Sequence, residues 1–270
     1  MQLRYDFHVH SHVSPCAKPD ATIENYLKLI KIENIGAIGF ADHLWDENVR
    51  RLPDDWFSAL CTYKNIEQSK KFITNNYDIP VYFGCEVDVD KDGIIGLEKG
   101  KEEIFDYILF GITHYHNPLC LDQELKDDFN YMKKNQIDRF MLAVNSDYSI
   151  PKGIAHPFLH CGTRFLEKHY QIISDNEFID CFKEAAKKGV SIEISVAFTD
   201  KNPKIFSHFD KSGFAYEFVR MISLARECGC KFHYGSDSHS QSDFLVHDKM
   251  EQFVIACGVD PKNMLTKFML

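Results

Sequence analysis

Residues 35–43 read IGAIGFADH, a continuous apolar run that closes in a histidine. A run without polar alternation marks a strand buried on both faces, and such strands belong to parallel sheets. The pattern recurs six more times along the chain. Leu3 to His10 ends in His8-Val9-His10, Pro80 to Glu86 reads PVYFGCE, and Asp106 to His114 reads DYILFGITH. Gly153 to His156 follows in KGIAHP, Val190 to Glu193 in VSIEIS, and Lys231 to His239 in KFHYGSDSH. Seven buried strands are predicted, each closing in a metal-ligand residue type.

Helical spacing fills the intervals. Thr22 and Glu24 open a segment with Ile23, Leu27, Ile30 and Ile35 on one side, an amphipathic helix with a capping threonine. Phe178, Phe182 and Ala185 precede the sixth strand in the same way, and Phe218, Ile222 and Ala225 the seventh. Strand and helix in alternation predict a parallel α/β sheet. Ligand-type residues at every strand's carboxyl end favour closure into a TIM-like barrel, because closure brings those ends together around one axis. Leu44 to Ser58, Asp88 to Glu103 and Asn117 to Pro151 exceed ordinary loop lengths and are expected on the active face. Phe129, Met132, Ile137, Phe140 and Val144 predict a helical insertion over the site, around residues 117–151. No linker or repeat divides the chain, so residues 1–270 are expected to form one domain.

With 44% hydrophobic and 26% charged residues, the chain is neither disordered nor fibrous. No apolar run approaches the ~18 residues of a membrane span, and the first ten residues lack a basic stretch followed by a hydrophobic one. A cytoplasmic location without membrane attachment is expected. A net charge of -9 disfavours a broad grip on nucleic acid and favours a small substrate. Nothing in the sequence specifies an oligomeric state. Nine scattered cysteines are expected to be reduced thiols, and Cys228 and Cys230 lack the partner pair a zinc knuckle needs.

The 13 histidines carry the chemistry. His8 and His10, at i and i+2 on a strand, point to one side and can chelate one ion. Alone that pair is weak evidence. His43, Glu86, His114, His156, Asp237 and His239 each fall where a predicted strand ends, and a barrel mouth would gather them. Nitrogen and carboxylate donors suit zinc, manganese or iron, and so many donors imply more than one ion.

The motifs FHVHSH (7–12), ADH (41–43), GCE (84–86), GITH (111–114), AHP (155–157) and GSDSH (235–239) resemble those of the PHP family, named for polymerase and histidinol phosphatase. The match runs from residue 1 to about 240, and DYILFGITHYH is similar to a stretch of the histidinol-phosphatase branch. The resemblance implies a distorted (β/α)7 barrel with a trinuclear site. His8, His10 and Asp237 would hold the first ion, Glu86 would bridge it to a second held by His114 and His156, and His43 and His239 would hold a third. Family members commonly place a histidine or an acid where Cys16 stands. A Cys16 thiolate could serve the third ion, His12 could swing in, or two ions only could bind.

Two ions about 3.5–4 Å apart can deprotonate a bridging water for in-line attack on phosphorus. Glu86, Asp237 and His239 are the expected catalytic residues, with Asp237 or a neighbouring histidine moving the proton. Arg164 and His160, in the loop after His156, are the candidates to bind substrate phosphate. The expected activity is a phosphomonoesterase on a small phosphorylated metabolite such as histidinol phosphate, with two or three divalent ions. A nuclease or polymerase-associated phosphodiesterase would call for a basic groove. An amidohydrolase-type C–N hydrolase would call for a bridging lysine and eight strands.

Overall fold

The structure, a computed structural model, describes residues 5–50, 56–73, 77–115, 117–159, 170–195, 214–244, 253–265 and 267–268. Seven parallel strands stand in sequential order: β1 (Tyr5–Val9), β2 (Ala37–Leu44), β3 (Val81–Asp88), β4 (Tyr107–Gly111), β5 (Lys152–Ala155), β6 (Ser191–Ser195) and β7 (Phe232–Gly235). Each is a predicted strand. The first, fourth, fifth and seventh stop short of their closing histidines, at Val9, Gly111, Ala155 and Gly235, so His10, His114, His156 and His239 sit on the segments beyond. Asp237 adopts a positive φ of 51°, which ends any extension of β7.

The last strand returns to the first. Asp237 N donates to His8 O at 2.8 Å and His10 N to Ser238 O at 2.9 Å, which brings the segment after β7 against β1 and nearly closes the barrel. The pairing of β1 with β2 advances from Tyr5↔Ala37 and Asp6↔Ile38 to Val9↔Phe40, so β1 carries one extra residue, a bulge. It lets Phe7 pack among the interior aromatics while His8 still faces the mouth.

The helices form where the sequence caps them. Helix α1 (Ile23–Ile32) starts at Thr22, whose side chain accepts from Asn25 N, and buries Ile23, Tyr26 and Ile30. Ile35 lies beyond it, because the chain turns at Asn34 with φ 54° and Ile35 is buried from the loop. After β2 come α2 (Trp56–Leu60) and α3 (Tyr63–Lys70). Helix α4 (Phe129–Asn145) is the helix expected within 117–151, but it is no cover for the site. Phe140 stacks on Phe158 and meets Phe182, and the helix packs against β5 and the next helix as the crossover from β4. Its buried Met132, Phe140, Ala143 and Val144 need an apolar partner, which the barrel wall supplies. Helix α5 (Asp175–Lys188) opens on a Ser174–Glu177 capping box and closes at Gly189, φ 68°. Helix α6 (Phe214–Glu227) follows β6.

At the lower end of the barrel, Tyr107 fills the interior. Its ring occupies the space that Cβ atoms at Gly39 and Gly84 would need, and its hydroxyl donates to Phe7 O at 2.6 Å. Phe268 stacks on Tyr107 at 4.4 Å and meets Phe7 and His233 edge-on, closing that end. The mouth therefore faces the carboxyl ends of the strands. The eight described cysteines are free, with Cys230 donating to Phe182 O. Among the described residues, no helix is long and apolar enough to cross a membrane.

Candidate metal centre

The mouth gathers His8, His10, His43, Glu86, His114, His156, Asp237, His239 and Cys16. Strand parity puts His8, His43 and Glu86 there, and the other six stand on the segments that follow the strands. His43 and Glu86 are register partners on β2 and β3, and their side chains point into the barrel together. His156 and Asp237 reach it through left-handed backbone, φ 25° and 51°, a conformation that a non-glycine residue adopts at some cost and that is common at functional sites.

Five imidazoles are held at Nδ1 by an oxygen. His8 Nδ1 lies 2.7 Å from Glu193 Oε2 and His114 Nδ1 2.5 Å from Asp88 Oδ1. His239 Nδ1 donates to Asp237 O at 2.8 Å. Ser14 Oγ gives its proton to Asp42 at 2.7 Å, so it accepts from His10 Nδ1 at 3.2 Å. Thr113 Oγ1 donates to His156 O and accepts from His156 Nδ1 at 3.2 Å. These partners assign the tautomer: each ring carries its proton on Nδ1 and presents a bare Nε2.

The bare nitrogens confront one another. His8 Nε2 stands 3.1 Å from His10 Nε2, and His114 Nε2 stands 3.2 Å from His156 Nε2. Two lone pairs at that separation repel unless a cation lies between them. Glu86 spans both pairs, with Oε2 3.3 Å from His8 and 3.5 Å from His10, and Oε1 3.3 Å from His114 and 2.9 Å from His156. Asp237 Oδ1 is 3.1 Å from His10 Nε2 and 3.6 Å from His8 Nε2. His43 Nδ1 comes within 2.9 Å of Glu86 Oε2, yet both buried atoms lack a hydrogen bond. Oriented donors with no proton to share fit a divalent ion, and three overlapping groups of ligand atoms can hold one: His8, His10 and Glu86; His43, Glu86 and His114; His10, Cys16, His43 and His239.

Burial lowers the imidazoles of His8, His43, His156 and His239, but the carboxylates around them, joined by Cys16 at His43 and His239, raise all four overall, so the cluster draws positive charge, as a proton or as a metal ion. Burial opposes ionisation of Glu86, but the imidazoles of His114, His43 and His8 hold its carboxyl well below the usual range. Burial likewise opposes Asp237, and His8 and His10 pull it well down. Cys16 is exposed as a residue, and the partial desolvation of its sulfur is outweighed by His43 and His239, which bring the thiol to about 7.

His12 is placed elsewhere. Its ring meets Phe72 at 5.8 Å, in a cleft of about 760 Å³ on the barrel's flank that α1, Tyr77 and Ile79 also line. Arg164, His160 and His116 lie outside the described residues. Three carboxylates that support the ligands were not singled out from the sequence. Glu193, at the middle of β6, orients His8 instead of joining the ligand cluster, and its Oε1 also accepts from His156 N at 3.2 Å. Asp88, two residues after Glu86 on the same face of β3, holds His114. Asp42 accepts from Ser11 N, Ser11 Oγ and Ser14 Oγ and so fixes the loop after His10. A charged residue inside an otherwise buried strand was the available signal for each.

A parallel barrel with buried imidazoles and a shared carboxylate at its mouth defines a metal-dependent hydrolase of the TIM-like class. The PHP domain model matches residues 6–194, and the chain belongs to that family, whose members bind divalent metals. No curated protein matches the sequence. Among solved structures, the chain is similar to one in archaeal ribonuclease P with mature tRNA, at 12% identity over 94% of this chain and 90% of that one, TM-score 0.42. It is also similar to the D-hydantoinase from a Bacillus species, 11% identical over 86% of this chain and 47% of that one, TM-score 0.35. The dihydropyrimidinase from Brevibacillus agri is 11% identical over 87% and 46%, TM-score 0.33. These distant likenesses carry no argument about activity.

Proposed function

We propose that this chain is a phosphoester hydrolase, a phosphomonoesterase acting on a small phosphorylated metabolite such as histidinol phosphate. The observation that carries the proposal is the pair of facing imidazoles on either side of Glu86, a donor set built for two adjacent cations. His8, His10 and Asp237 would hold one ion and His114 and His156 another, with Glu86 between them and His43 and His239 at an outer position. Zinc, manganese or iron bound there would supply Lewis acidity toward a phosphoryl oxygen and an activated water at neutral pH.

The chain's own residues divide the remaining work. Glu86, 1% exposed and ringed by imidazoles, is enclosed and serves to bind. The Asp237 side chain is 18% exposed and that of His239 28%, so these two face the incoming substrate. Asp237 would accept the proton of the attacking water and return it to the departing oxygen, with His239 beside it at the outer ion. Arg164 and His160, eight and four residues after His156 in sequence, would hold the phosphate's remaining oxygens. The net charge of -9 favours a compact substrate over a polynucleotide.

The test is phosphate release by the purified chain from histidinol phosphate, nucleotides and an aryl phosphate, before and after chelation, beside Glu86→Gln. Release that chelation abolishes and that Glu86→Gln loses together with bound metal is the expected result. A metal-loaded chain that releases no phosphate but cleaves a phosphodiester or an amide would overturn it.

A further inference from the structure

We infer that Cys16 is a thiolate ligand, which makes the outer position of the cluster selective for thiophilic divalent ions such as zinc, cobalt(II) or iron(II). This rests on the metal reading of the site given above. Ligand atoms of His10, Cys16, His43 and His239 all lie within 4.8 Å of one another. His10 is already committed at both nitrogens, to Ser14 through Nδ1 and toward His8 and Asp237 through Nε2. The outer position is then left with one sulfur and two imidazoles, of which His43 is shared with the group of Glu86 and His114. Three protein donors leave a fourth position open, the arrangement of catalytic rather than structural zinc.

His43 gives an independent indication. It is 6% exposed, and its Nδ1, 2.9 Å from Glu86 Oε2, has no hydrogen bond, so the ring stands between the inner group and Cys16 with a buried nitrogen unsatisfied. A buried polar atom without a partner is costly and calls for a ligand. His239 spends its Nδ1 on the Asp237 carbonyl and keeps Nε2 available.

The loop that carries Cys16 is fixed. Ser14 N bonds to Ser11 O and Ala17 N to Ser14 O, both at 3.0 Å, and Lys18 N bonds to His239 O at 2.8 Å. The last bond ties the cysteine's loop to the segment of its proposed co-ligand. A tetrahedral ion with bonds of about 2.0–2.3 Å sets its donors about 3.3–3.6 Å apart, so the group closes by small side-chain rotations. Cys16 is exposed, and the other described cysteines are buried or partly buried. A thiolate selects zinc, cobalt or iron(II) over magnesium or manganese, whereas the inner positions offer only nitrogen and oxygen.

The metal-free full-length chain is loaded with cobalt(II), and its absorption spectrum and bound metal are measured for the wild type, Cys16→Ser, Cys16→His and Cys228→Ser. A near-ultraviolet sulfur-to-cobalt charge-transfer band is expected in the wild type and Cys228→Ser and absent in both Cys16 variants. Cys16→Ser should bind about one ion fewer per chain, and Cys16→His should restore the count without the band. Zinc should also protect Cys16 from alkylation by iodoacetamide, read by peptide mapping. Bound cobalt without the band, a band that survives in Cys16→Ser, or alkylation unaffected by zinc would overturn the inference and leave the phosphoesterase reading intact. Failure to bind any cobalt would overturn both.

Discussion

His8 on β1 donates its Nδ1 proton to Glu193 on β6, 185 positions away in sequence, across 2.7 Å of buried space. Glu193 also stands 3.3 Å from His233 Nε2, and His233 Nδ1 is 2.9 Å from Ser191 Oγ. The ligand ring is thus turned by a carboxylate that belongs to the barrel interior, and its Nε2 is fixed toward the mouth. Histidines oriented in this way bind metal more tightly because their tautomer and direction are set in advance.

Glu193→Gln keeps the volume but removes the charge that holds the His8 proton on Nδ1. Metal affinity should fall by about 10–100-fold, the usual effect of losing such a partner. Titration with a competing chromogenic chelator measures it, and an unchanged affinity would remove Glu193 from the support of the site.

Acid should unfold the metal-free chain partly through the same residue. Burial raises the Glu193 carboxyl, but His8 and His233 bring it from 4.5 to about 2. A carboxyl depressed in the folded state contributes stability that is complete above its unfolded value and is lost as pH falls through the folded one. Denaturant midpoints of the metal-free wild type should therefore drop between about pH 5 and about pH 2, and Glu193→Gln should show a shallower drop.

Gly235→Ala should damage the site without touching a ligand. A Cβ there would sit 2.6 Å from His8 Cβ and 2.7 Å from Glu193 Cδ, closer than atoms pack. Relief would require His8 and Glu193 to part, at a cost of about 1–3 kcal/mol. A lowered thermal midpoint together with weaker metal binding is the expected outcome, and a change in neither would show that the contact yields freely.

Phe268→Ala should separate stability from chemistry. Phe268 is 3% exposed, stacks on Tyr107 and closes the end of the barrel away from the histidines. Its removal should cost about 3 kcal/mol by denaturant unfolding. The number of ions bound per folded chain should stay the same, and a fall in that number would mean that the lower end positions the mouth.

Much of the site could be read along the chain because its signals are local. Continuous apolar runs locate strands, and strand parity sets His8 and His10, or Glu86 and Asp88, on one face. Placement of the ligands at strand ends needed only the premise that parallel strands bring their carboxyl ends together. The helix at 129–145 was also visible, but its role was not. An apolar helical stripe has the same spacing over a site as on a barrel wall, and only the partners of Phe140 distinguish the two.

By itself, the sequence determined seven buried parallel strands and the set of imidazoles and carboxylates gathered at their ends, since both follow from periodicity within a few residues. The tertiary structure alone decided which oxygen turns each ring, how the β1 bulge lets Phe7 and His8 both face inward, and that Cys16 rather than His12 meets His43 and His239. Those relations depend on barrel closure and on register between strands far apart in the chain. A shift of one residue in that register would leave every local pattern intact and part every one of these contacts.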